Sequence, residues 1–371
     1  MRLIGKSLGS GSPVGERFEK AVSPARAADF NQTVHAFRGV TSLLVFLAHL
    51  TGGSALHAYA HDPAVFEAVR PWWNFGTNAV YFFFIISGFV ILPSAIKYAP
   101  SEFAFRRFLR IYPLFFVMSL LYIVLNVLSD TQPEMNDPLR IAFALTFLSQ
   151  ITGTGQLTPN AWSLTFEIWF YALTGLVTLF AIHRPHRIGL ILAGLAAAVF
   201  TAAFPLTFFF LGGVAIRLLS NGGRLPSGRY LPVAEGLSFA LMVWLMQGGK
   251  WLYHPSDLTD PKAVALILAS TLYFMFSIAP HSLTSRVLPT APLLYLGTIS
   301  YSLFLIHPYV YLPMRMIFTR LGWFGPNAGL SISLFVLCTL PLGILISHIG
   351  HKTIETRLYQ MVFREKVFAP K

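Results

Sequence analysis

Apolar residues in this chain fall into long blocks rather than one-sided stripes. The blocks cover 37–57, 74–96, 108–129, 139–152, 161–182, 187–204, 205–220, 231–248, 263–280, 291–314 and 327–349, with short polar breaks between them. A helix rises ~1.5 Å per residue, so about 20 apolar residues cross a hydrocarbon core of ~30 Å. Most of the blocks approach that length. The pattern predicts an all-α fold, a polytopic transmembrane helical bundle.

Loop charge orients the bundle. Lys6, Arg17, Lys20 and Arg26 place the N-terminus on the cytoplasmic side, and Arg106, Arg107 and Arg110, read as the loop between the second and third blocks, fall there too. The loop "SDTQPEMNDP" (Ser129 to Pro138) is acidic and lands outside. If the short block 139–152 crossed, the basic "HRPHR" (His183 to Arg187) would face outward. If it re-enters without crossing, that loop, the stretch Arg217 to Arg229 and the C-terminal end all face inward. The second arrangement fits the positive-inside rule better, with Arg315 and Arg320 as exceptions outside. The expectation is about ten spanning helices plus one short re-entrant segment, with both termini cytoplasmic. Residues 1–32 read as a flexible cytoplasmic tail without the apolar core of a signal peptide. Residues 33–355 form the transmembrane domain, and 356–371 a cytoplasmic C-terminal tail.

Composition agrees. Of 371 residues, 55% are hydrophobic and 11% charged, whereas a soluble domain carries about 25% charged residues. Mean hydropathy is +0.62, and the 34 phenylalanines suit a surface that faces lipid. The net charge of +12 gathers in short loops, which is a membrane-orientation signal and not a nucleic-acid footprint. A single cysteine, Cys338, excludes an intrachain disulfide and a CxxC metal site.

Against this background the polar groups within the blocks stand out. "FRGVTSLLVFLAHL" (Phe37 to Leu50) holds Arg38 and His49 eleven residues apart. That spacing is about three helical turns, so both lie on nearly one face, ~16 Å apart along the axis. Arg38 belongs at the cytoplasmic edge and His49 near mid-membrane. In "FRRFLRIYP" (Phe105 to Pro113), Arg106, Arg107 and Arg110 are either anchors at the membrane edge or a clamp for a phosphorylated ligand. In "NAWSLTFEIWFYAL" (Asn160 to Leu173), Glu167 is an isolated acid. With this helix entering from outside at Asn160, it lies about two turns deep and needs a partner or a wet cavity. "LGTISYSLFLIHP" (Leu296 to Pro308) buries His307 in an apolar run, beside Ser300 and Ser302. In "YFFFIISGFVI" (Tyr81 to Ile91), Ser87 and Gly88 read first as a close helix-packing point. Pro113, Pro159, Pro205 and Pro308 at helix starts and interiors require neighbours that satisfy freed backbone groups.

Taken together, these stretches resemble the membrane-bound acyltransferase family 3, integral membrane O-acyltransferases acting on sugars and cell-surface glycans. Four motifs match in order over roughly residues 33–355: the Arg-x10-His helix at Arg38 and His49, "NAVYFFFIISGFVI" followed by "FRRFLRIYP", the Trp-Ser-Leu…Glu helix ending in Glu167, and the Ser-Tyr-Ser…His helix ending in His307. One departure lies near the end, where "IETRL" has Glu355 without the proline that often follows. Many relatives carry a fused extracytoplasmic domain, and none is expected here.

The resemblance implies acyl-CoA, usually acetyl-CoA, as cytoplasmic donor, and a glycan or glycolipid acceptor reached from the far side or within the bilayer of a bacterial inner membrane. Membrane lipids surround the site; no metal and no nucleic acid are implied. Arg38, Arg106, Arg107 and Arg110 are then expected to receive the phosphates of coenzyme A. His49 is the expected general base, since an imidazole titrates near neutrality. Glu167 would orient it or bind the acceptor. His307 would polarise the thioester carbonyl or position the sugar. Ser87, Trp162, Ser163 and Ser300 are expected to line the substrate. A covalent acyl-enzyme on His49 or Ser87 is an open variant. The alternative is a glycan transporter or flippase without chemistry, because buried ionisable groups also mark transport paths.

Overall fold

The computed structural model describes residues 31–249, 251 and 254–363. The expected N-terminal tail, save its last two residues, and residues 364–371 of the expected C-terminal tail lie outside the described residues. Helices account for nearly all of the described chain, and no strand occurs among the described residues. In chain order they are α1 (Gln32–Ala58), α2 (Pro63–Asn78), α3 (Val80–Lys97), α4 (Pro100–Ser129), α5 (Pro138–Leu145), α6 (Ser149–Thr152), α7 (Ala161–Thr178), α8 (Arg187–Ala203), α9 (Thr207–Asn221), α10 (Leu231–Gln247), α11 (Pro261–Ser277), α12 (Leu283–Val287), α13 (Ala291–Arg320), α14 (Ala328–Gly350) and α15 (Arg357–Phe363).

Polar loop residues start many of these helices. Asn31 accepts the Val34 N–H at 3.0 Å, and Asp62, Asp137 and Asp260 cap α2, α5 and α11, each followed by a proline at the first helical position. The same device corrects one expectation. Pro100 starts α4 well before residue 108, with Glu102 in its first turn. Arg106, Arg107 and Arg110 therefore sit on the helix itself and not in a loop. Likewise α14 continues through a π-helical turn, His351–Thr356, into α15, past the expected boundary at residue 355.

Among the described residues, six rods are long and apolar enough to cross a membrane: α1, α2 with α3, α4, α7 with its following turn, α13, and α14 with its continuation. The apolar helices α8, α9, α10 and α11 have 15–17 residues, or ~22–26 Å of rise, short of a ~30 Å core. Large aliphatics point outward from α8, where Ile191 is 67% exposed, as a lipid-facing surface requires.

Contacts set the helix directions. His35 meets Thr298, Arg38 meets Ser300, His49 meets His307, and Gly53 meets Arg315, so α1 and α13 run parallel. The Tyr301 and Tyr309 hydroxyls donate to the Ile111 and Met118 carbonyls, which makes α4 parallel to both. Pairing of Ser87 with Glu167 and of Ala95 with His183 shows α3 and α7 parallel to each other. Arg107, early in α4, meets Ser94, late in α3, so this second set runs the opposite way. Since α4 and α7 are opposed, the chain between them returns without crossing. It does so through the two short helices α5 and α6, broken at Phe147, whose φ is +57°.

Two glycine pairs bring backbones together. A Cβ on Gly39 would overlap the Leu293 carbonyl of α13, and one on Gly297 would overlap the His35 carbonyl of α1. Gly88 and Gly213 do the same between α3 and α9, against Phe210 and Ile85. The packing role expected of Gly88 is the observed one.

Candidate active site

The polar groups of the interior fall at two levels along the parallel pair α1 and α13. The lower level, at the end where α1 begins, is a narrow pocket of about 40 Å³, with room for a few water-sized groups. Arg38, Ser87, Arg110, Ser163, Glu167 and Tyr301 contribute to its lining. Arg38 Nε donates to Ser300 Oγ at 3.3 Å. Ser87 Oγ donates to Glu167 Oε1 at 2.7 Å, and the Tyr171 hydroxyl donates to the same oxygen. Two guanidinium groups and one carboxylate thus line a small cavity, an excess of positive charge that suits an anionic or strongly polar ligand.

The upper level is a pair of imidazoles. The rings of His49 and His307 lie 5.1 Å apart between centroids, with Tyr311 beside both at 5.9 and 6.1 Å. His49 Nδ1 lies 2.8 Å from the Val45 carbonyl, and His307 Nδ1 lies 3.1 Å from the Leu303 carbonyl. A carbonyl oxygen only accepts, so each Nδ1 carries the proton. In the neutral form of each ring, Nε2 is then the basic nitrogen. His307 is fully buried, and its Nε2 has no hydrogen-bond partner.

The levels are separated by an aromatic wall. Phe304 lines the lower pocket, packs edge-on to Phe83 at 5.4 Å and lies 6.2 Å from the His307 ring. Neither His49 nor His307 is among the residues lining the arginine pocket. The expected pairing of Glu167 with an imidazole is therefore replaced by two pairings: Glu167 with Ser87 and Tyr171, and His49 with His307. The reason is the start of α7. Asn160 was expected at the outer surface, yet it is 5% exposed and donates to the Phe304 carbonyl inside the bundle. The residue four positions after Phe304 is Pro308, which has no N–H to give that carbonyl. Asn160 fills the vacancy, α7 begins at depth, and Glu167 lies two turns closer to the arginine end.

The other expected residues divide similarly. Ser163 lines the arginine pocket, and Ser300, buried, borders it through Arg38. Trp162 packs edge-on to Phe84 and Phe166 at the head of α7. Arg106 is held by Glu102 at 2.8 Å and the Tyr359 hydroxyl at 3.0 Å, between the rings of Tyr98 and Phe363. It braces the chain's last described turns and does not line the pocket. Arg107 lines a different cavity, on the flank of the bundle.

Two groups escaped the sequence reading. Tyr171 lies four residues beyond Glu167, on the same helical face, and that spacing was a legible signal. Glu355, 1% exposed, accepts from Ser302 Oγ at 2.9 Å and pairs with His351 Nδ1 at 2.9 Å. Its spacing from His351 was the same kind of signal, but its meeting with Ser302, 53 positions away, was not legible.

Residues 31–348 match the model of an acyltransferase domain. The chain belongs to acyltransferase family 3. It is similar to acyltransferase MdmB of Streptomyces mycarofaciens, with 26% identity over 90% of this chain and 92% of that protein. It is also similar to a protein of Komagataeibacter xylinus named membrane-bound transacylase BcsY, with 26% identity over 64% of this chain and 66% of that one. No solved structure matches the chain. The chain is thus a membrane acyltransferase, and the reading of a transporter without chemistry gives way to an enzyme.

Proposed function

We propose that this acyltransferase moves an acyl group, acetyl in the first instance, from cytoplasmic acyl-CoA to a hydroxyl of a cell-envelope glycan or glycolipid. The observation that carries the reading is the His49–His307 pair, two adjacent imidazoles each held with Nε2 as the basic atom. A sugar hydroxyl is a weak nucleophile until a base takes its proton during attack. His49 Nε2 is that base. The acceptor oxygen bonds to the thioester carbonyl carbon, the C–S bond breaks, and protonated His49 returns its proton to the departing thiolate. An ester and free coenzyme A result.

The tautomer assigns the second histidine. Polarising a carbonyl needs an N–H at Nε2, but in neutral His307 the proton is on Nδ1. His307 therefore accepts a hydrogen bond from a second hydroxyl of the acceptor and so positions the one that attacks. Arg38 and Arg110 receive the donor's charged end, and Arg106 and Arg107 add positive potential at the same end. Glu167, fixed by Ser87 and Tyr171, balances the arginines. Ser163 and Ser300 at the arginine pocket, and Trp162 at the head of α7, contact the substrates. The side with the arginines is cytoplasmic on this reading.

The test is transfer of labelled acetyl from acetyl-CoA in membranes holding the wild type or His49→Ala, with envelope glycans compared by mass spectrometry. Transfer is expected to disappear in the variant while coenzyme A binding persists. Full transfer by His49→Ala would remove the assigned base.

A further inference from the structure

The flank of the bundle holds a second cavity, of about 800 Å³, within the range of ~300–1,000 Å³ found for ligand sites. It lies between α4 and α7, with Phe147 of the re-entrant segment among its lining residues. We infer that it binds a membrane amphiphile, a hydrocarbon chain with an anionic headgroup, with the chain between α4 and α7 and the headgroup at Arg107. In the proposed reaction this amphiphile is the lipid-borne acceptor, an assignment that rests on the reading above.

Three observations carry the inference. The walls are apolar, with Phe103, Leu145, Phe147 and Ile168 among them, so a hydrated solute would lose its water there for nothing. The rim residues Phe108 and Leu176 are 48% and 42% exposed on the outer faces of their helices. In a bundle that spans a bilayer those faces meet lipid, so the occupant enters sideways from the bilayer. At the inner end stands a cation. Arg107 lines the cavity, with its Nη2 donating to Ser94 Oγ at 2.8 Å. A phosphate or similar oxyanion in the cavity would meet the guanidinium charge.

The cavity also backs onto the arginine pocket. Ile111 lines both, and Tyr171, on the cavity wall, donates to Glu167. A headgroup at Arg107 would lie one side chain away from Glu167.

Binding of radiolabelled hexadecyl phosphate to the full chain in neutral-detergent micelles tests this. Gly175 offers a clean obstruction, because a Cβ there first meets the Phe103 ring at 3.4 Å, an ordinary contact. Gly175→Leu is expected to weaken hexadecyl phosphate binding by more than about tenfold, and Arg107→Gln by about tenfold. Coenzyme A binding by Gly175→Leu should match the wild type, which shows that the variant is folded. Hexadecanol should bind more weakly than hexadecyl phosphate and equally to wild type and Arg107→Gln. Equal binding of hexadecyl phosphate by wild type and Gly175→Leu would overturn the inference, as would equal binding of hexadecanol and hexadecyl phosphate by the wild type. Displacement of hexadecyl phosphate by palmitoyl-CoA but not by coenzyme A would assign the cavity to the donor's chain and overturn it too. The two readings fail separately: absent acetyl transfer sinks the proposed function and leaves this cavity standing, while absent alkyl phosphate binding with transfer intact does the reverse.

Discussion

The side-chain amide of Asn160 occupies the hydrogen bond that Pro308 denies to the Phe304 carbonyl, at 2.5 Å. This one contact joins the start of α7 to the middle of α13 and sets the depth of Glu167. A similar repair occurs in α3, where Pro93 frees the Phe89 carbonyl and Arg217 Nε donates to it at 3.0 Å. These two breaks thus fasten α13 to α7 and α3 to α9.

If Asn160 compensates for Pro308, their substitutions are coupled. Asn160→Ala should cost ~1–3 kcal/mol, the penalty of a buried carbonyl left unpaired. In a Pro308→Ala background, where residue 308 regains its N–H, the same change should cost much less. A double-mutant cycle on thermal unfolding of the detergent-solubilised protein measures the coupling. Additive losses would refute the relationship.

The two histidines should separate by role. His49→Gln should lower acyl transfer by ~10²–10⁴, the contribution of a general base, with little change in donor binding. His307→Gln, which can still accept a hydrogen bond, should lose less and should raise the apparent KM for the acceptor. Steady-state kinetics with the acceptor varied distinguishes the two. Equal losses in kcat alone would count against a positioning role for His307.

Glu167 receives two hydroxyl donors, so removing either should be milder than removing both. Tyr171→Phe or Ser87→Ala should each reduce kcat/KM by about tenfold, the value of ~1.4 kcal/mol, in line with a hydrogen bond to a charged group. The double variant should approach Glu167→Gln. Wild-type kinetics in the double variant would show that the carboxylate is not held for the reaction.

Packing at Gly39 is tight against backbone, and backbone cannot swing aside. Gly39→Ala should destabilise the bundle by ~1–3 kcal/mol or more, as overpacked sites do. Gly236, on α10, has open space where its Cβ would lie, so Gly236→Ala should be neutral or stabilising through helix propensity. Thermal unfolding of the two variants side by side checks the contrast.

Much of this molecule was legible in its sequence. The apolar blocks located the helices, because lipid and core burial both demand long apolar runs and each run reports itself residue by residue. Arg38 and His49 were placed three turns apart on one face by helical spacing alone, and the structure uses that separation. The paired glycines could be suspected but not matched, since Gly39 and Gly297 are far apart in the chain. Glu167 was misplaced in depth, because the loop before α7 looks from its composition like an exterior turn. The depth at which α7 starts depends on the Phe304 carbonyl, 144 positions after Asn160, which Pro308 leaves free. Arg106 and Arg107 are adjacent in sequence and identical in type, yet one braces Tyr359 and the other faces the flank cavity. Successive residues on a helix point about 100° apart, and only the neighbouring helices decide what each direction meets.

By itself, then, the sequence determined a helical membrane bundle and which buried polar side chains could bear chemistry, because hydropathy and helical period are local properties. Which of those side chains meet was decided by tertiary structure alone. The parallel seating of α1 on α13 joins the two imidazoles, and the inward start of α7 gives Glu167 to the arginines. Those pairings follow from backbone repairs and close glycine approaches between distant segments, which no local pattern encodes.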